Sequence, residues 1–319
     1  MGYNNVKVEA VVASAAIGLL ERDSILAGTI WRDAAADFRG KKNDTVSVRL
    51  PAYAVANKRT LRANASRVRS TLSERKVDIS LNSDLQVDVA LTDENQTLDV
   101  QSIVSDITAP SVGAIIRAID EEIADTMENA SYEVEIAWDS SNPYESLVDA
   151  RIALDDHNVP DAGRFLVVGT ELQAQLLKDE LLVPVNVSGS SDTLRRGVIG
   201  QVAGFDVLVS KTLSPGVGFA YHRTAFALAS RAPVVPQGVA WGQSVSSGGF
   251  AIRVMQHLTQ DDDKDLLNIV FHDTWIGVGV VEDNGTIDQN GKFTPSVDPS
   301  NPANDKFVRA VKLGDVASS

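Results

Sequence analysis

Two stretches of alternating apolar and polar residues flank a segment that contains few large apolar side chains. The first stretch carries Val46, Val48 and Leu50. The second is longer, and its apolar residues are Val77, Ile79, Leu81, Leu85, Val87, Val89 and Leu91. Alternation of this kind is typical of half-buried strands. Because the segment between them, 52–72, cannot bury a core, the pattern predicts a two-stranded arm that needs another surface to lie on.

Apolar residues at three- and four-residue steps predict helices elsewhere in the chain. The clearest case is an amphipathic helix over 110–130, about 30 Å long. Its apolar face contains Val112, Ile115, Ile116, Ile119, Ile123 and Met127, and its other faces contain Arg117, Asp120, Glu121, Asp125 and Glu128. A shorter helix is predicted within 8–20, with Val11, Val12, Ala15, Ala16, Leu19 and Leu20 on one face. Glu9 interrupts that stretch, which argues against a signal peptide.

Helical and strand patterns are mixed over 142–250, so the fold class is predicted to be α+β. Asn142-Pro143-Tyr144-Glu145 has the composition of a helix start, with Asn as the cap and Pro at the first position. Strands are predicted at 165–168, 198–200, 207–209 and 219–228. A hairpin is predicted from 252–258 and 267–271 around the acidic turn 261–265, and one last strand over 307–311.

Charge is distributed very unevenly along the chain, whose net charge is −14. Residues 39–76 contain eleven Lys and Arg residues against two acids, Asp44 and Glu74, whereas the residues that follow are strongly acidic. This contrast predicts that the basic arm contacts an acidic face on another copy of the chain. The candidate contact residues are Lys58, Arg59, Arg62, Arg67, Arg69, Glu121, Glu122 and Asp125. A solvated loop and a nucleic-acid patch are the alternatives, although no aromatic residues interleave with the arginines for base stacking.

Residues with catalytic or ligand-binding spacing are lacking, so no catalytic, cofactor-binding or metal site is predicted. The chain has no cysteine, and its four histidines do not have metal-ligand spacing. The acidic turn Asp261–Asp265 lacks the glycine and the distal glutamate of a calcium loop. No apolar run approaches the ~20 residues that cross a bilayer. These observations predict a protein that is neither an enzyme nor a membrane protein.

Four segments, taken in order, resemble the major capsid proteins of tailed double-stranded DNA phages. Residues 40–51 are similar to the start of the extended loop in that family. Residues 160–168 resemble a proline, glycine-arginine and apolar-strand element, residues 197–210 the glycine-containing signature that follows it, and residues 220–229 the next strand. Encapsulins share the same fold.

The resemblance implies the layout of a capsid subunit. Its parts would be an N-terminal arm over 1–39, an extended β-hairpin loop over 40–95 and a peripheral domain over 96–141 with the spine helix 110–130. An axial domain over 142–250, a return to the peripheral domain over 251–282 and a C-terminal extension over 283–319 would follow.

The function that the resemblance implies is assembly of an icosahedral shell of pentamers and hexamers around phage DNA. The expected partners are other copies of the chain, a separate scaffolding protein, a portal, a decoration protein and packaged DNA that is bound without sequence specificity. The expected location is the virion, assembled in the host bacterial cytoplasm. A cargo-enclosing encapsulin-like compartment and a soluble enzyme are the alternatives.

Overall fold

The computed structural model describes residues 11–20, 24–32, 45–50, 75–92, 104–178, 200–239, 241–260, 266–296 and 302–314. Its helices are α1 (11–20), α2 (Leu26–Thr29), α3 (Ala109–Asn129), α4 (Pro143–Asp156) and α5 (Thr170–Lys178). A π-helical turn, Val104–Thr108, precedes α3. No described helix has the length and apolar character that crossing a membrane requires.

Sixteen strands are found in the described part of the chain. In order they are β1 (Thr45–Leu50), β2 (Arg75–Ser80), β3 (Ser83–Thr92), β4 (Glu135–Ala137), β5 (Arg164–Val168), β6 (Gly200–Val202), β7 (Phe205–Val209), β8 (Gly218–His222), β9 (Phe226–Arg231), β10 (Trp241–Ser247), β11 (Phe250–Gln260), β12 (Leu266–Val280), β13 (Asp283–Ile287), β14 (Phe293–Pro295), β15 (Asp305–Lys306) and β16 (Ala310–Gly314). The predicted turn 261–265, between β11 and β12, lies outside the described residues.

The chain divides into two compact units, each built from three separate segments. The first unit comprises Met1–Val46, Ile79–Glu128 and Phe226–Gly279; the second comprises Ser47–Asp78, Asn129–Ala225 and Val280–Ser319. By this division β9 and β10 belong with α3, whereas the sequence pattern predicted them within 142–250. The domain boundaries inferred from the family resemblance stay a prediction.

The first unit contains a five-stranded sheet and the long helix. The strand order is β10-β11-β12-β3, and β9 also pairs with β12. Helix α3 buries the predicted apolar face, with Ile115, Ile119 and Ile123 no more than 1% exposed. In α1 the buried face is Val12, Ala13, Ala16, Ile17 and Leu20, whereas Val11 is 61% exposed. The predicted face was therefore wrong by about one position, because apolar residues nearly encircle this helix and packing decides which of them are buried.

The second alternating run forms two strands rather than one. β2 pairs with β1 in a two-stranded sheet, whereas β3 pairs with β12 from Ser83 opposite Ile276 to Thr92 opposite Leu267. The alternation of apolar and polar residues continues through residues 81–82, so the sequence pattern did not indicate that one strand ends there and another begins. A Cβ on Gly277 would lie 2.1 Å from the Ser80 carbonyl oxygen, so only glycine allows this close approach.

A six-stranded sheet, ordered β4-β16-β8-β5-β7-β6, organises the second unit together with α4 and α5. Its strand β16 comes from the region predicted to be a C-terminal extension, and it lies between β4 and β8. Val311 and Leu313 on this strand are fully buried. The predicted strand 307–311 is thus displaced by about three residues, and the predicted strand 219–228 is divided into β8 and β9 by a turn.

The start of α4 matches the predicted position but not the predicted cap. The helix begins at Pro143, yet the Asn142 side chain bonds no backbone N–H of the first turn. Its amide instead donates to the Glu145 carboxylate at 2.8 Å. The two side chains therefore bond each other at the surface, and neither caps the backbone of the helix.

Candidate functional site

The predicted acidic contact residues lie together on the solvent-facing side of α3. Glu121 and Asp125 are exposed and one helical turn apart, so they share one stripe of the helix. Glu122 is half-buried, and its carboxylate accepts a hydrogen bond from the Ser83 hydroxyl at 2.9 Å, which ties α3 to the start of β3. Glu121 and Asp125 therefore lie at the surface of the subunit, and the Glu122 carboxylate connects two of its elements.

Asp120 was predicted on the outer face of α3, and this prediction was wrong. The residue is 8% exposed, and its Oδ1 accepts hydrogen bonds from the Leu26 backbone N–H at 3.2 Å and the Ser24 hydroxyl at 3.5 Å. Burial raises the pKa of the Asp120 carboxyl, and the backbone hydrogen bonds around Ile25 to Ala27 oppose this rise. Its role is to hold α2 against α3.

The basic partners predicted for this surface, Lys58, Arg59, Arg62, Arg67 and Arg69, lie outside the described residues. Their contact with Glu121, Glu122 and Asp125 stays a prediction. The strands that flank them, β1 and β2, do pair as predicted for the base of an arm.

A second acidic surface lies on the five-stranded sheet. Asp84 and Asp88 of β3 are exposed, and the register places them opposite Trp275 and Phe271 of β12, with Asp273 between. Partial burial, followed by the like charges of Asp273 and Asp84, raises the pKa of the Asp88 carboxyl. A cation close to Asp88 would lower this pKa again.

One arginine partly neutralises that face from the neighbouring strand. Arg253 of β11 pairs with Asp273 through two hydrogen bonds and donates a third to the Val234 carbonyl at 2.7 Å. Asp273 is thus committed within the subunit, while Asp84 and Asp88 remain at the surface.

The glycine-arginine element over 160–168 has a structural role. Arg164 is 4% exposed, and its guanidinium donates to the carbonyls of Val159 at 2.6 Å and Pro160 at 2.9 Å. It also forms an ion pair with Asp155 at 2.7 Å. The arginine therefore fixes the turn from α4 into β5. Its contacts explain why this motif is informative about the fold.

Another arginine anchors the C-terminal segment in the second unit. Arg309 bonds both carboxylate oxygens of Asp283, at 2.5 and 2.6 Å, and donates to the Thr224 hydroxyl at 2.6 Å. Bidentate pairs of this kind fix geometry as well as charge. The segment that leads into β16 is thereby held against the turn after β8.

Three of the four histidines are used for internal packing, and His257 is exposed. His157 Nδ1 lies 3.0 Å from the Val308 carbonyl oxygen, and His222 contacts Thr224 and the Ala162 carbonyl. Burial lowers the pKa of both imidazoles, and it lowers that of the fully buried His272 to about 4. Among the described residues, no group of three or more histidines and carboxylates is placed to hold a metal ion.

Comparison with known proteins gives one family match. A family model described as phage capsid protein matches residues 86–287, which is more than half of the chain. No curated protein matches the chain significantly.

Several solved phage structures have a similar fold. A structure from Mycobacterium phage Che8 is 19% identical with a TM-score of 0.59, over 91% of this chain and 90% of that chain. The capsid of Cyanophage P-SCSP1u is 10% identical with a TM-score of 0.54, over 85% and 84% of the two chains. The mature capsid of bacteriophage PhiM1 is 13% identical with a TM-score of 0.52, over 86% and 84%. These similarities confirm the predicted α+β capsid fold.

Proposed function

Because the chain belongs to the phage capsid protein family, it is a structural, shell-forming protein, and we propose that its copies assemble as pentamers and hexamers of an icosahedral capsid around phage DNA. The family match over residues 86–287 carries this conclusion. It also favours a virion shell over an encapsulin-like compartment and over a soluble enzyme. The proposal includes no catalytic role.

The proposed contact between subunits joins the basic arm of one copy to an acidic face of its neighbour. Glu121 and Asp125 are exposed on α3, where they can be reached by another chain. A strand rises about 3.3 Å per residue, so an extended arm between β1 and β2 would reach well beyond its base. Each exposed ion pair contributes only ~0–1 kcal/mol, but symmetry repeats the set at every equivalent contact in a shell.

Other partners follow from the same proposal. The net charge of −14 suits an inner wall that repels packaged DNA rather than binding it, so no sequence-specific contact with DNA is expected. A separate scaffolding protein, a portal and a decoration protein complete the proposed set of partners. Assembly would take place in the host bacterial cytoplasm, and the finished protein would be located in the virion.

Charge reversal in the arm tests the proposed contact. Changing Arg59, Arg62 and Arg67 together to Glu should abolish assembly, because three attractions become repulsions at every contact. The matched control changes exposed Lys178, Lys211 and Lys292 to Glu, which alters net charge equally but leaves the arm intact. Sedimentation velocity measures assembly, and circular dichroism measures folding.

The two variants and a salt series separate the possible outcomes. The control and the unmodified protein should form shells or capsomers whose stability falls with added salt, since screening acts over ~10 Å at 0.1 M. Normal shells from the arm variant would contradict the contact. Unfolding of its isolated subunit would instead show that the arm pairs with acids of its own chain.

A further inference from the structure

Strand β10 is an edge of the five-stranded sheet. It pairs with β11 from Trp241 opposite Gln256 to Ser247 opposite Phe250. On its other side no strand of the described chain is paired with it. The strand is seven residues long, which is enough to template the addition of another strand.

The turn after β10 determines which of its backbone groups face outward. Gly248 and Gly249 form a two-residue turn with φ values of +56° and +85°, as in a type I′ hairpin. Ser247 and Phe250, which flank such a turn, form a hydrogen-bonded pair, and pairs of that kind recur at every second residue. The N–H and C=O groups of Gly242, Ser244 and Ser246 therefore point away from β11. Within the described chain these groups have no backbone partner.

β10 lacks the features that normally protect an exposed edge. Its sequence, Trp-Gly-Gln-Ser-Val-Ser-Ser, has neither a charge nor a proline. The terminal strands β4, β6, β14 and β15 have three residues or fewer, whereas β3 carries Asp84 and Asp88. Both β1 and β2 include arginine, and β9 ends in Arg231. Proteins protect sheet edges with charge, proline or short length. Among the described edge strands, β10 alone has none of these.

We propose that β10 pairs antiparallel with β10 of a second copy, about a two-fold axis at Ser244. The outward-facing residues 242, 244 and 246 are symmetric about Ser244. A two-fold at that residue places Ser244 opposite its own copy and Gly242 opposite the second copy's Ser246. This register satisfies all outward N–H and C=O groups of both strands. Two-fold contacts of this isologous kind are the commonest in homo-oligomers.

The side chains on β10 are compatible with that register. Ser244 meets Ser244, and Gly242 meets Ser246, so one face of the joined sheet carries only small groups there. On the other face Gln243 meets Val245 and Trp241 meets Ser247. Because the strand has no charged residue, the symmetric pairing creates no like-charge repulsion.

An exposed apolar residue beside the strand supports the same partner. The Pro233 carbonyl accepts the Ser244 hydroxyl at 2.6 Å, and a Cβ on Gly242 would lie 2.8 Å from Val235. Residues 233–235 therefore lie over one face of β10. Val234, between them, is 81% exposed, the most of any large hydrophobic side chain in the described chain. A two-fold normal to the sheet brings a second Val234 to the same face, where each can cover the other.

Single cysteines test the register, since the natural chain contains none. The proposal, which rests on the shell-forming function, predicts that Ser244→Cys gives disulfide-linked dimers when assembled shells are oxidised with copper phenanthroline. Hydrogen-bonded antiparallel partners have Cα atoms about 5.5 Å apart, within the range that a disulfide spans. Ser246→Cys is the matched control: it lies on the same face and is also exposed, but its two copies would be about 14 Å apart.

Non-reducing electrophoresis should show at least about ten-fold more dimer from Ser244→Cys than from Ser246→Cys. Shells that give equal or no dimer from both variants would overturn the pairing while leaving the shell function intact. Failure of the unmodified protein to form any shell would count against the shell function itself.

Hydrogen exchange of the unmodified protein gives a second readout that does not depend on the cysteine variants folding. The outward amides of Gly242, Ser244 and Ser246 should be protected in shells and unprotected in isolated subunits. The inward amide of Val245 should be protected in both states and serves as the internal control. Equal exchange of the outward amides in the two states would contradict the proposal.

Discussion

The buried carboxylate of Asp120 on α3 accepts a backbone hydrogen bond from the start of another helix, as a capping side chain does. Asp120 accepts the Leu26 backbone N–H, which comes from the start of α2, 94 positions earlier in the chain. An acid at this position of an amphipathic pattern is typical of a solvated face, so the sequence predicts exposure. The partner lies in a remote part of the sequence, and no local spacing indicates it. The sequence therefore predicted correctly that Ile116 and Ile119 are buried, whereas the predicted exposure of Asp120 was wrong.

His272 makes the stability of the subunit depend on pH. The imidazole is fully buried in β12, and burial lowers its pKa to about 4, below the ordinary value of 6.5. Between pH 6.5 and pH 4 the unfolded chain binds a proton at this histidine that the folded chain does not. The free energy of unfolding is therefore unaffected by His272 above pH 6.5 and decreases as the pH falls toward 4. One pKa unit is worth about 1.4 kcal/mol, so the whole effect is on the order of 3 kcal/mol.

Replacing His272 by Gln should therefore reduce the dependence of the unfolding free energy on pH between 6.5 and 4. Urea unfolding of the unassembled subunit at several pH values measures that slope. Part of the slope should remain, because burial also lowers the pKa of His157 and His222. His257→Gln is the control, since His257 is exposed on the adjacent strand. Identical slopes for the unmodified protein and His272→Gln would show that this residue is not responsible.

Elements with a strong internal period were predicted well, whereas pairing between elements was not. Helix α3 was expected over 110–130 and is found at Ala109–Asn129. By contrast, the second alternating run was expected to be one strand of a hairpin, and its greater part pairs with β12 instead. Period-two alternation shows that one face is buried but does not identify the partner strand. The same limit applies to β16: a strand was predicted over 307–311, but its place between β4 and β8 depends on residues far away in sequence.

The core face of α3 should tolerate no charge. Ile119 is 1% exposed, so Ile119→Asp would bury an unpaired carboxylate at a cost of several kcal/mol. That cost is comparable with the ~5–15 kcal/mol that keeps a typical domain folded. We expect the variant to fail to fold, as measured by circular dichroism and urea unfolding. Glu121→Ala, on the exposed side of the same helix, should unfold at the same urea concentration as the unmodified subunit. A normally folded Ile119→Asp protein would contradict the assigned helix face.

At the scale of the whole molecule, local patterns predicted the α+β class, and the resemblance of four segments predicted the capsid fold that the comparisons confirm. The division into two units could not be predicted in the same way. Each unit is assembled from three separate stretches of chain, so its boundaries depend on contacts between residues distant in sequence. The candidate contact surface stays a prediction: Glu121 and Asp125 are exposed and the Glu122 carboxylate bonds Ser83, but contact with another chain depends on residues that lie outside this subunit.

The most direct test of the central claim is electron microscopy of the purified protein, alone and with the proposed scaffolding protein, across a range of salt concentrations. A shell-forming subunit is expected to give closed shells, tubes or separate pentamers and hexamers. Two-dimensional class averages would show five- and six-fold symmetry in the capsomers. Featureless single-subunit particles under every condition, with sedimentation as a stable monomer, would contradict the account.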